Sequence, residues 1–173
     1  MTQSTATPPS PIPTPALLVI GYGNPLRRDD GAGPRVADLI ESLHLPNVQT
    51  LATHQLAPEH ADPISRAHRV IFVDAVVDRP ASDTIHLRKL EPGATTQLLA
   101  HAADPRTLLA LARDVYGRAP EAWWLTIPAQ QLGFGTDYSP AAEVGIQAAV
   151  AEIQCLAADV SAALDHSPRS LVD

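Results

Sequence analysis

Residues 17–40, LLVIGYGNPLRRDDGAGPRVADLI, carry the clearest fold signal in the chain. This stretch opens with an uninterrupted apolar run, Leu17–Ile20, which is typical of a strand buried on both faces. A glycine-containing loop follows, and apolar residues then recur at helical spacing from Val36 to Leu43, with Pro34 as a helix-opening residue. The order strand, loop, helix predicts the first unit of an α/β fold.

The same alternation continues along the chain. The predicted strands are Val48–Ala52, Arg69–Val77, Thr84–Arg88 as a weaker edge strand, and Trp123–Ile127. The predicted helices are a short one over Pro58–Ser65, one that starts at Asp104-Pro105, and a long final one that Ser139-Pro140 caps. This pattern predicts the α/β class, a three-layer α/β/α architecture around a twisted, mostly parallel sheet of about five strands.

The chain has the length of one domain. Its 173 residues fall within the ~100–200 that a single domain contains. Residues 1–15 are a Pro/Ser/Thr-rich segment that is too poor in apolar side chains to pack, so we predict a disordered tail there. The predicted single α/β domain covers residues 16–165, and residues 166–173 form a C-terminal tail.

Charge and cysteine content exclude several classes of function. There are 12 Lys and Arg against 19 Asp and Glu, a net charge of −7, so we expect no nucleic-acid partner. The single cysteine, Cys155, excludes a disulfide framework and is typical of a reducing cytosol. Apolar stretches such as Val70–Val77 fall short of the ~20 residues that span a bilayer, so we expect no membrane association.

Two adjacent carboxylates, Asp29 and Asp30, lie in the loop after the first predicted strand. A dinucleotide fingerprint would need glycine where Leu26 stands, and no Gly-Lys-Ser/Thr P-loop is present. The loop instead brings two carboxylates to the carboxyl ends of the strands, where α/β sheets bind ligands. The alternative is that Asp30 only caps the following helix and that Asp29 is solvated.

Two further polar residues are predicted to reach the same edge of the sheet. Asp74 ends the apolar run Val70–Val73, where an unpaired carboxylate would cost several kcal/mol. It could bind loop amides, or it could be a ligand. His101 lies shortly before the helix that starts at Asp104-Pro105. Together with Asp30 these residues form an oxygen and nitrogen donor set that suits nickel, zinc or manganese, although their spacing matches no local metal motif.

Other parts of the chain give weaker signals. The segment His54–Glu59 follows a predicted strand, but a polar loop with Glu59 in the first turn of a short helix explains it better. No Gly-x-Ser-x-Gly elbow occurs, and Cys155 has no electropositive context, so a serine or cysteine nucleophile is not indicated.

Taken together, these segments resemble a known family. The stretch 21–40 is similar to the opening signature of the NiFe-hydrogenase maturation endopeptidases, and Val70–Val77 is similar to their second block. Weaker similarities lie at His101 and in the stretch 127–140, where Ile-Pro, Phe-Gly and Ser-Pro pairs follow one another. The resemblance covers about residues 17–164.

The resemblance implies a cytoplasmic protease that removes the C-terminal extension of the hydrogenase large-subunit precursor after nickel insertion. It implies that Asp30, Asp74 and His101 contact the metal and carry the catalysis, and that the nickel ion arrives with the substrate instead of residing in the protease. The family often has glutamate at the position of Asp30, which leaves the choice between Asp29 and Asp30 open. The expected substrate contacts are Gly23, Asn24, Asp29, His54 and Gln55, and we assign no role to Gln130-Gln131.

Two other functions stay open. A non-catalytic relative could bind the nickel-bearing precursor only as a checkpoint chaperone. A Rossmann-like small-molecule enzyme could use the glycine turn at Gly21–Gly23, although Thr53-His54 follows the second predicted strand where a ribose-binding acid is expected.

Overall fold

The computed structural model describes residues 14–77, 84–93 and 104–165. Within these ranges the strands are β1 (Leu17–Tyr22), β2 (Val48–Thr53), β3 (Arg69–Val76), β4 (His86–Leu90) and β5 (Glu121–Pro128). The helices are α1 (Ala32–Ser42), α2 (Ala61–Arg66), α3 (Pro105–Tyr116) and α4 (Pro140–Asp165). Short 3-10 helices precede α1 (Arg28–Gly31) and α2 (Pro58–His60).

The strands form one sheet in the order β2-β1-β3-β5-β4. The first four of these run parallel to one another, and only β4 is antiparallel, paired to β5 at the edge. The predicted α/β class and the mostly parallel five-stranded sheet are therefore confirmed, and the strand predicted at Thr84–Arg88 is the edge strand β4, which begins two residues later, at His86.

Alternating side chains of the strands fill two separate cores, as the two-residue period of a strand requires. One core holds Leu17, Val19, Ile71 and Val73 against helices α1 and α4. The other core holds strand residues of opposite parity, such as Leu18 and Phe72, against α2 and α3. The sheet therefore has two helices on each face, which is the predicted three-layer arrangement.

Helix α1 packs very close to the carboxyl ends of β1 and β3, and Gly33 permits this. A Cβ atom on Gly33 would lie 2.5 Å from the carbonyl oxygens of both Tyr22 and Val73, closer than any real Cβ contact. The start of α1, and the loop that leads into it, are thereby fixed at the edge of the sheet where ligands bind.

Helix α4 contains an apolar segment that is longer than the stretches near Val70–Val77. Its Pro140–Val160 portion has 21 residues and a mean hydropathy of 1.2, so by length and composition it could cross a membrane, unlike the apolar stretches near Val70–Val77. One face of this helix packs into the core through Ile146, Ala149 and Ile153, each at most 3% exposed. Core helices of soluble proteins have the same composition, so the length alone carries no further conclusion.

Candidate active site at the carboxyl edge of the sheet

Three segments meet at the carboxyl edge of the sheet. They are the β1–α1 loop (residues 23–31), the end of β3, and the β5–α4 loop (residues 129–139). An isolated parallel bridge between Arg27 and Gly135 joins the two loops.

Asp30 faces back across its own loop instead of capping a helix. Its Oδ2 accepts a hydrogen bond of 3.1 Å from the backbone N–H of Asn24, and α1 begins at Ala32 without any side-chain cap. The alternative that Asp30 is only a helix cap is therefore wrong. Among the described residues, none donates a hydrogen bond to Oδ1 of Asp30, so this half-buried carboxylate retains a free oxygen.

Gly23 makes this loop conformation possible. Its φ is +138°, a region that favours glycine. A Cβ atom at this position would lie 1.9 Å from the carbonyl oxygen of Asp30. Its backbone N–H donates to the carbonyl of Thr53, which ties the loop to the end of β2 at 3.1 Å.

Asp74 lies within β3, which continues to Val76, and its side chain is half-buried. Burial raises the pKa of its carboxyl to about 6, although hydrogen bonds from the Tyr22 hydroxyl and the Ala75 backbone oppose the rise. The negative charge of Asp30 raises it further, so the two carboxylates are close enough to repel each other. Burial and the charge of Asp74 raise the pKa of Tyr22, which therefore stays a neutral donor.

Asp29 has a different environment, because it is fully buried, with an exposed fraction of 0%. Its Oδ2 accepts hydrogen bonds from the backbone N–H groups of Gln130 and Gln131 and from the hydroxyl of Ser139, each at 2.8 Å. Its Oδ1 accepts a fourth, from the backbone N–H of Ser139, at 2.7 Å. Burial alone would raise the pKa of Asp29, but these hydrogen bonds outweigh burial and lower it.

This placement corrects the expectation that Asp29 contacts the substrate. Both of its oxygens are used within the protein, and the side chain is not accessible to a partner. Of the two adjacent acids, Asp30 is the one with a free oxygen at the edge of the sheet. The geometry therefore favours Asp30 as the ligand.

The remaining predicted residues lie nearby or outside the described ranges. His54 and Gln55 are exposed after β2, and His54 lines a cavity of about 240 Å³. This cavity adjoins the site, because Gly31, Arg35 and Tyr138 line it as well. Asn24 forms a turn in which its Oδ1 accepts from the N–H of Leu26 at 2.9 Å. His101 lies outside the described residues.

The donor set within the described ranges is a pair of carboxylates, Asp30 and Asp74. No group of three or more His, Cys, Asp or Glu side chains in residues 14–77, 84–93 and 104–165 is arranged to hold a metal ion. Two neighbouring carboxylates, of which Asp30 keeps a free oxygen, can contact a divalent cation that brings other ligands with it.

Solved structures of known proteins share this fold. The hydrogenase 2 maturation peptidase from a Thaumarchaeota archaeon is 27% identical, with a TM-score of 0.60 over 81% of this chain and 97% of that one. This chain is therefore similar in fold and in sequence to the hydrogenase maturation peptidases. The family resemblance predicted from the sequence is therefore confirmed, and with it the assignment to the proteases.

Two more members of the hydrogenase maturation peptidase family show the same fold at lower identity. The hydrogenase maturating endopeptidase HybD from E. coli is 20% identical, with a TM-score of 0.66 over 83% of this chain and 92% of that one. The [NiFe] hydrogenase maturation protease HybD from Thermococcus kodakarensis is 22% identical, with a TM-score of 0.65 over 82% and 98%. No protein-family model and no curated protein sequence matches the chain.

Sequence reasoning missed three residues that build this site. Gln130 and Gln131 have no predicted role, yet their backbone N–H groups hold Asp29, and the Gln131 side chain accepts a hydrogen bond from Arg28. Ser139 is predicted only to cap α4, which it does through the N–H of Ala142 at 3.2 Å. Every residue except proline has a backbone N–H group, so residue type does not show which of these groups holds Asp29. The Ser-Pro helix start was the available sequence signal in this loop.

Proposed function

We propose that this protein is the endopeptidase that removes the C-terminal extension of a NiFe-hydrogenase large-subunit precursor once nickel has been inserted. The observation that carries this proposal is the close pair of partly exposed carboxylates, Asp30 and Asp74, at the ligand-binding edge of a maturation-peptidase fold.

Nickel belongs to the substrate in this proposal. The precursor brings the ion on its own ligands, and Asp30, Asp74 and His101 fill open coordination positions. The free Oδ1 of Asp30 supports this arrangement, and carboxylate and imidazole donors suit a borderline divalent ion. A precursor without nickel lacks the bridging ion and binds weakly, so cleavage depends on completed metal insertion.

The reaction is the hydrolysis of one peptide bond. Water adds to the carbonyl carbon, one of the two carboxylates takes the proton of the water, and the C–N bond breaks as the departing nitrogen gains a proton. A carboxylate that is ionised at neutral pH and lies within hydrogen-bond reach of the water can accept that proton. The substrate's nickel acts either as a Lewis acid on the carbonyl or as a template that positions it.

Exposed apolar side chains beside the site favour a protein substrate over a small molecule. Phe134 is 87% exposed and Leu26 is 51% exposed. The two loops that carry them are held together, since the N–H of Gly135 donates to the carbonyl of Leu26 at 3.0 Å. Large apolar side chains that a folded protein leaves exposed in fixed positions are typical of protein-binding surfaces.

The surroundings of the acids supply the other expected contacts. Gly23 is buried and shapes the loop next to Asp30, Asn24 presents its partly exposed amide there, and His54 and Gln55 extend the site along the end of β2. The substrate is a cytoplasmic precursor, so we place the protease in the cytoplasm, with no nucleic-acid or membrane partner.

A mass-spectrometric assay tests the proposal. The large-subunit precursor from the same organism is prepared with and without nickel and incubated with a small molar fraction of the protein. We expect loss of a C-terminal peptide from the nickel-loaded precursor only, with many turnovers per enzyme. Nickel-dependent binding without shortening would favour the checkpoint chaperone. Neither shortening nor binding would contradict both roles and leave the small-molecule enzyme.

A further inference from the structure

We propose that Asp29 is a positioning residue for the cleavage reaction. Its buried carboxylate fastens the β1–α1 loop to the β5–α4 loop and thereby sets the position of the Asp30 carboxylate. The inference rests on the proposed function, because it assumes that Asp30 contacts the nickel of the precursor.

The first support is the origin of the hydrogen bonds to Asp29. All four of its donors belong to the β5–α4 loop, at Gln130, Gln131 and Ser139. The backbone N–H of Asp29 adds a fifth connection, since it donates to the carbonyl of Gln131 at 3.1 Å. One residue thus fixes one loop against the other, more than 100 positions away in the sequence.

The second support is the backbone conformation of Arg28, the residue before Asp29. Arg28 has a φ of +49°, which is uncommon for a residue other than glycine. Its N–H donates to the carbonyl of Gly135 at 2.9 Å, and its guanidinium contacts Phe134 and Gln131. A turn that contains an unfavourable backbone conformation persists only where its surroundings hold it.

The third support is the direct covalent link to Asp30. Asp30 is the next residue in the same 3-10 turn, and its carbonyl oxygen lies where a side chain of Gly23 would be. Any shift of Asp29 therefore moves the backbone of Asp30 and the carboxylate that it carries. A misplacement of about 1 Å in a reacting group can lower a rate by about 100-fold.

The experiment measures affinity for the nickel-loaded and the nickel-free precursor, with Asp29→Asn as the main variant. An amide has one acceptor oxygen instead of two, so its NH2 group must face at least one of the donors that now hold Asp29. We expect the gain in affinity that nickel provides to fall by about 10- to 100-fold, with binding of the nickel-free precursor unchanged.

Two matched variants separate positioning from stability. Ile153→Val lowers stability in the core of α4 without touching either loop, and it should leave the gain from nickel intact. Ser139→Ala keeps the carboxylate of Asp29 and its three backbone donors, so it folds even if Asp29→Asn does not. Ser139→Ala should reduce the gain in affinity that nickel provides, by a smaller factor than Asp29→Asn does.

A double-mutant comparison identifies Asp30 as the residue through which Asp29 acts. In an Asp30→Ala background, Asp29→Asn should cause no further loss of nickel-dependent affinity, because coupled residues are not additive. If Asp29→Asn caused its full loss of nickel-dependent affinity in the Asp30→Ala background as well, the inference would be wrong. It would also be wrong if the single variant Asp29→Asn kept the whole gain in affinity that nickel provides. Neither result would affect the proposed function. Wild-type protein that neither distinguishes the two precursors nor cleaves either would overturn the proposed function, and the inference with it.

Discussion

Gly23 in the β1–α1 loop has no room for a side chain. A Cβ atom there would meet the carbonyl of Asp30 at 1.9 Å, and the φ of +138° is strained for any other residue. The alanine side chain and the Asp30 carbonyl cannot occupy the same space, so we expect Gly23→Ala to displace Asp30. This displacement should reduce cleavage of the nickel-loaded precursor by about 10-fold or more.

Gly133 provides the matched control for this prediction. It lies in the β5–α4 loop, and a Cβ atom there would meet no other heavy atom within 4 Å. Gly133→Ala should therefore cleave at the wild-type rate in the same assay. Equal rates for both variants would show that the tight turn at Gly23 has no part in the reaction.

Asp74 makes the stability of the protein depend on pH in an unusual direction. The pKa of its carboxyl is about 6 in the folded protein, against 3.8 for an unperturbed aspartate, so the folded protein holds this proton more tightly than the unfolded chain. The stabilisation that the protonated Asp74 carboxyl gives the folded protein is complete below about pH 4 and is lost as the pH rises through about 6. Asp29, whose pKa is lowered, acts in the opposite direction: its stabilisation is complete above the ordinary value of 3.8 and is lost as the pH falls below it.

An Asp74→Asn variant tests this linkage, because an amide does not titrate. We expect its free energy of unfolding to exceed that of the wild type at about pH 7.5 and the difference to shrink as the pH falls toward about 4. Urea unfolding at a series of pH values gives the two curves. A difference that is constant over this range would mean that the Asp74 carboxyl has an ordinary pKa.

Helix α3 begins at the Asp104-Pro105 pair from which the sequence predicts a helix. Asp104 caps the helix, with Oδ1 accepting from the backbone N–H of Arg106 at 2.8 Å, and Pro105 occupies the first helical position. Removing the cap leaves that N–H without its partner, so Asp104→Ala should lower the free energy of unfolding by about 1 kcal/mol.

The control for the α3 cap is Arg106→Ala. It removes an exposed side chain whose contact with Asp104 is long, at 3.4 Å, and it keeps the backbone N–H that the cap holds. Chemical denaturation should show little change for this variant. A larger loss for Arg106→Ala than for Asp104→Ala would contradict the role of the cap.

The elements are largely predictable from the sequence because their signals are local. Apolar runs such as Val70–Val73, and the Asp-Pro and Ser-Pro pairs, define strands and helix starts through burial and capping. The contrast between Asp29 and Asp30 is not predictable, because it depends on backbone N–H groups more than 100 residues away. The raised pKa of Asp74 likewise depends on burial by neighbouring elements, which residue identity does not encode.

At the scale of the whole molecule, the surface beside the acids should decide how the precursor binds. Phe134→Ala removes a side chain that is 87% exposed. If it contacts the precursor, KM for cleavage should rise by about 10-fold with kcat unchanged, because the contact serves binding and not the chemical step.

Val144 on α4 provides the comparison, since it is 63% exposed and lies outside both loops. Steady-state cleavage by Val144→Ala should match the wild type. If Phe134→Ala and Val144→Ala gave the same KM, the β5–α4 loop would not be part of the docking surface.

The contact of Asp30 and Asp74 with the nickel that the precursor carries can be measured directly. Nickel K-edge X-ray absorption tests it directly on nickel-loaded precursor frozen with the protease before cleavage, with mass spectrometry confirming that the extension is intact. We expect additional oxygen or nitrogen ligands on the nickel with the wild-type protease, and fewer with Asp30→Ala or Asp74→Ala. A nickel spectrum that the wild-type protease leaves unchanged while cleavage still follows would contradict it.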